Sequence, residues 1–75
     1  MNDINWKKRA SSIIKAELAK KDMSYENLVN KLAEIGISET TGNIATKLNR
    51  GTFSFIFALQ IFKSLGLKKI NLEDL

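Results

Sequence analysis

The chain contains no cysteine, no histidine and no proline, and only four of its 75 residues are glycine. Without cysteine there is no disulfide and no thiolate metal site. Without histidine the commonest general base and transition-metal ligand is missing. The lack of disulfides fits a reducing compartment. No low-complexity run and no internal repeat occurs. The longest apolar stretch is broken by Ser54 and Gln60 and is too short to span a bilayer. The opening "MNDINWKKRA" has no apolar core of signal-peptide length. The expected location is therefore the cytoplasm, with no membrane partner.

What is present is modest in size and mildly basic. A chain of 75 residues is expected to form one domain over 1–75. Its single small core should be worth about 3–5 kcal/mol. Twelve Lys+Arg against eight Asp+Glu give a net charge of +4. That balance permits binding to a polyanion without demanding it. The basic residues fall in small clusters at Lys7-Lys8-Arg9, Lys20-Lys21 and Lys68-Lys69, so a phosphate-binding face must be assembled by folding.

Glycines and small polar residues cut the chain into helices. The first begins near Asp3 or Asn5, either of which can cap it, and ends around Lys20-Lys21. Trp6, Ala10, Ile13, Ile14 and Leu18 form its inward stripe. A second helix starts after Ser24, with Glu26 in its first turn. Leu28, Leu32 and Ile35 make its stripe, with Val29 and Ala33 beside it, and Gly36 supplies a left-handed cap. Ser38 or Thr40 caps a third helix that runs to about Asn49, and Gly51 ends it. Ile44, Ala45 and Leu48 share one side of it, and Asn43, Thr46, Lys47 and Arg50 share the other. Ser54 caps a fourth helix, "FIFALQIFKSL", stopped by Gly66. The tail "LKKINLEDL" reads either as a short helix after Asn71 or as an extended segment.

Enzymatic chemistry has little to stand on. The eight carboxylates sit singly along helices, often near lysines, as solvated surface charge does. "GISETTG" lacks the lysine and the preceding strand of a phosphate-binding loop. No catalytic residue, metal, cofactor or small-molecule substrate is expected. The outer face of the third helix is more informative. Asparagine can pair with an adenine edge and arginine with guanine or phosphate. Threonine can bond phosphate or touch a thymine methyl.

The order of elements is a long helix, "SYENLVNKLAEIGIS", "TTGNIATKLNRG" and an apolar helix ending "LGL". It resembles the helix-turn-helix domain of phage repressor and Cro-type regulators across Ser24–Ala33, Asn43–Gly51 and Ile56–Leu67. That resemblance implies an all-α, compact four- to five-helix repressor-like domain that binds double-stranded DNA. It implies that Asn43, Thr46 and Lys47 enter the major groove, and that Arg50 and Thr52 hold phosphates beyond it. Thr40 would stand at the start of that helix, within the same contact surface. Tyr25 occupies the place of a phosphate-touching glutamine, or is a half-buried packing residue. The chain departs from that family where Gly36 comes about one turn late and Ile37–Ile44 is longer. The segment after Gly51 is shorter and lacks the customary proline, and Asn49 replaces a frequent glutamate. The turn is expected to be rebuilt. The early tryptophan, the "AEL" of Ala16–Leu18, the "RGTF" of Arg50–Phe53 and the terminal "LED" are similar to a second family. That family is a set of short bacterial chains described as a domain of unknown function.

The fourth helix is apolar nearly all round. Ile56, Leu59, Phe62 and Leu65 suit an internal core, which points Phe57 and Ile61 away from it. Those two are expected to be scattered surface residues, to lie under the tail, or to form a two-fold dimer interface. The reading that follows is a homodimeric DNA-binding regulator. Its rival is a non-catalytic interaction module, an adaptor or inhibitor, on the same kind of fold. Glu39, at the entrance of the third helix, favours the rival.

Overall fold

The computed structural model describes residues 4–72. Among them the chain forms four α-helices and no strand: α1 Trp6–Lys20, α2 Tyr25–Glu34, α3 Thr41–Arg50 and α4 Phe55–Ser64. The fold is all-α. Each helix starts on a short polar side chain in extended conformation. Asn5, Ser24, Thr40 and Ser54 accept a hydrogen bond from the backbone N–H three residues on, at 3.0–3.1 Å. Each satisfies one of the N–H groups a helix start leaves without a partner. Asp3, the other candidate cap of α1, lies outside the described residues.

The helix ends are equally local. Asp22, Gly36 and Gly66 adopt left-handed backbone after α1, α2 and α4, and Gly51 does so after α3. The residue after each of the first three donates its N–H back to the helix, Met23 to Leu18, Ile37 to Leu32 and Leu67 to Phe62. Met23, Ile37 and Leu67 then fold inward against the core, which is how this type of cap closes a helix and redirects the chain.

The buried stripes meet as Ile14 and Leu18 of α1, Leu28 and Leu32 of α2, Ile44 and Leu48 of α3, and Phe57, Ala58, Ile61 and Leu65 around α4. α1 packs on α3, while α2 packs on both α3 and α4. Gly51 fixes the first of these pairings. A Cβ there would fall on the Lys7 carbonyl of α1, so backbone meets backbone where only glycine fits. Residues 67–72 follow α4 without helix, and Asn71 and Leu72 of this tail line one cleft with Ala16 and Glu17 of α1.

Three orientations differ from the sequence reading. Trp6, expected in the core, is 61% exposed. It is in phase with Ala10 and Ile13, but that face of α1 looks onto an open groove rather than a packed helix. Ile35 lies beyond the last turn of α2 and is also exposed. In α4 the phase is reversed. Phe57 and Ile61, expected to face outward, are buried at 5% and 0%, and Ile56 and Leu59 are exposed. The polar residues explain this. At about 100° per residue, Ile56 falls between Gln60 and Lys63, on the solvent side. Phe57 meets Phe53 edge to face, at 6.0 Å between ring centroids. Neither Phe57 nor Ile61 can serve as a dimer contact from inside the core.

Candidate nucleic-acid interface

α3 is held on two sides. Besides the Gly51 contact, the Lys15 ammonium donates to the Asn49 side-chain oxygen at 2.8 Å, which ties the middle of α1 to the end of α3. The α2–α3 connection covers residues 35–40, with Gly36 turning the chain and Thr40 restarting it. α3 therefore presents a fixed outer face.

On that face Asn43, Thr46 and Arg50 fall within about 60° of one another at helical spacing. All three are exposed. Their side chains make no hydrogen bond or ion pair among the described residues. Thr46, Arg50 and Thr52 line a cleft of about 260 Å³, together with Lys47 and Ser54. The structure thus brings four of the expected contact residues into one place. It keeps Asn43 on the same helix face, one turn toward the start.

Lys47 is in a different state from its neighbours. Its ammonium lies 2.6 Å from a Glu39 carboxylate oxygen and 4.5 Å from the centre of the Phe57 ring. The Glu39 side chain is only 9% exposed, so this is a half-buried pair stacked on an aromatic face. Lys47 adds no net positive charge to the outer face while it is so engaged. Neither periodicity nor local spacing signalled this pairing, because Glu39 lies outside the helix and folds under it. The acidic residue at the helix entrance was the only hint.

Two further residues of the expected set have structural positions. Thr40 spends its hydroxyl oxygen on the Asn43 N–H as the cap of α3. Tyr25 is half-buried against the core and packs beside Lys15, Leu18 and Met23 at the end of α1. Of its two readings, packing is the one its environment supports.

Among the described residues no cluster of three or more acidic side chains could hold a metal ion. Among the same residues no helix is long and apolar enough to cross a membrane. No curated protein and no solved structure matches the chain. A family model does match, over residues 6–70. Its span opens on Trp6, the first residue of α1. It takes in the caps of α2, α3 and α4, the core, the α3 face and the tail as far as Ile70. Since that is nearly all of the chain, the protein belongs to the family described as a domain of unknown function, DUF6471.

Proposed function

We propose that the protein is a DNA-binding transcriptional regulator acting as a homodimer, with the α2–α3 pair as a helix-turn-helix and α3 in the major groove. One observation carries this reading. Asn43, Thr46 and Arg50 form an exposed row of side chains, without intramolecular partners, on a helix pinned to its neighbours. Polar side chains held in a fixed array and left unsatisfied suit base and phosphate recognition. Asn43 lies nearest the helix start and is placed to read a base edge. Arg50 and Thr52 stand where the chain leaves the helix and hold the phosphate backbone. The net charge of +4 supplies attraction at long range.

The test is titration of a selected duplex and a scrambled one at several salt concentrations. Asn43→Ala should cost about 1–3 kcal/mol on the selected site and little on the scrambled one. Arg50→Ala should weaken both alike and lower the salt slope by about one unit. Both positions are solvated, so melting temperatures should hold. If the parent protein binds neither duplex better than about micromolar at low salt, this reading fails. The interaction-module reading then replaces it. The Glu39–Lys47 pair favours that second reading, because it removes one positive charge from the α3 face.

A further inference from the structure

Acidic side chains are confined to one part of the described chain. Glu17, Asp22, Glu26, Glu34 and Glu39 all lie between the second half of α1 and the entrance of α3. The first half of α1, the whole of α3 and the link to α4 carry none. Instead Lys7-Lys8-Arg9 follows directly on Trp6 at the start of α1. A helix start favours negative charge, because the helix dipole is positive there. Cations at that place do nothing for the helix, and its first turn holds no acid to offset them.

Folding brings two of these cations to the exit of α3. Lys7 is in phase with Ser11, Ile14 and Leu18, the buried side of α1. It therefore faces the other helices, yet it is exposed, because the core ends before it. Its main-chain carbonyl lies where a Cβ on Gly51 would fall. That close approach sets Lys7 beside Arg50 and Thr52, the two neighbours of Gly51 in the chain. Lys8 shares a face of α1 with Lys15, at i and i+7, and Lys15 reaches Asn49 of α3. Lys7, Lys8 and Arg50 are exposed, and their charged ends make no ion pair or hydrogen bond among the described residues. Arg9 lies on another side of α1, in a cleft with Asn71 and Leu72.

We infer that Lys7 and Lys8 extend the Arg50–Thr52 contact along the sugar-phosphate backbone of duplex DNA, which makes α1 a second phosphate-binding element. Charge and continuity name the occupant. A backbone held by Arg50 and Thr52 continues past the first turn of α1 with about one charge per 3.4 Å of each strand. Two unpaired lysines fixed beside that path neutralise the next phosphates without reading a base. The Gly51 contact then has a second role, because it holds the lysines of α1 in register with α3. The inference rests on the reading of α3 as a DNA-contacting helix and extends that surface to α1.

The test compares two double variants that remove the same charge. Lys7→Gln with Lys8→Gln takes it from the inferred surface, and Lys68→Gln with Lys69→Gln takes it from exposed lysines of the tail. All four positions are exposed, so both proteins should keep the parental helix content and melting temperature. Each is titrated with the selected and the scrambled duplex at several salt concentrations. The α1 variant should bind both duplexes more weakly, with the salt slope lower by about two units, one for each lost phosphate contact. The tail variant should keep the parental slope. Equal losses in the two variants would show net charge acting at a distance and overturn the inference, as would a parental slope in the α1 variant. A parent that binds neither duplex overturns the regulator and this inference together. If the lysines of α1 matter while Asn43→Ala and Arg50→Ala change nothing, the role of α3 falls and the α1 contact stands.

Discussion

Gly42 and Gly51 bracket the same helix and would answer oppositely to one added methyl group. Gly42 has ordinary helical backbone and open space around it, so Gly42→Ala should stabilise the fold by about 0.5–1 kcal/mol. Gly51 combines left-handed backbone with the Lys7 carbonyl at the place a Cβ would take. Gly51→Ala should cost at least about 2–4 kcal/mol, from strain plus overpacking. That approaches the whole stability of a core this size, about 3–5 kcal/mol. Thermal melts followed by circular dichroism separate the two, and a Gly51→Ala protein melting with the parent would refute the contact with α1. That Gly51 ends a helix was legible from "NRG". Its contact with Lys7 was not, since it joins residues from opposite halves of the chain and leaves no periodic trace. Trp6 shows the same limit from the other side. Of the expected stripe only Ile14 and Leu18 reach the core, because spacing does not say whether a partner covers the face that Trp6, Ala10 and Ile13 share.

At the scale of the element, α3 and α4 were legible to different degrees. α3 has a polar side and an apolar side, so Asn43, Thr46 and Arg50 could be placed outward from spacing alone. α4 has apolar residues at almost every phase, and its orientation hung on Gln60, Lys63 and Ser64. The apolar residues alone point Phe57 and Ile61 outward, and those three polar residues turn them inward. The ion pair under α3 gives a sharper test of that helix. Glu39→Gln should release Lys47 to phosphate, tighten binding to any duplex and raise the salt slope by about one unit. Lys47→Met should instead strand a buried carboxylate and cost about 1–3 kcal/mol of stability. Urea melts and salt titrations of the two variants check both outcomes. Unchanged DNA affinity in Glu39→Gln would mean that Lys47 does not face the backbone even when free.

For the molecule as a whole, the four caps have a consequence in time. Every helix carries the chemistry of its own start and stop within a few residues. The chain therefore needs no tertiary contact to decide where its rods begin and end. Helix–coil relaxation takes about 0.1–1 µs in short segments, and only the docking of the rods remains after it. Helical folds built from such local contacts fold in about microseconds to milliseconds. With no proline in the chain, no peptide-bond isomerisation is available to delay any fraction of the molecules. Temperature-jump relaxation on dilute protein should then show one fast exponential, with the same rate by helix signal and by Trp6 emission. A phase lasting seconds would have no source in this chain's covalent structure and would point to a docking step that the local signals do not guide.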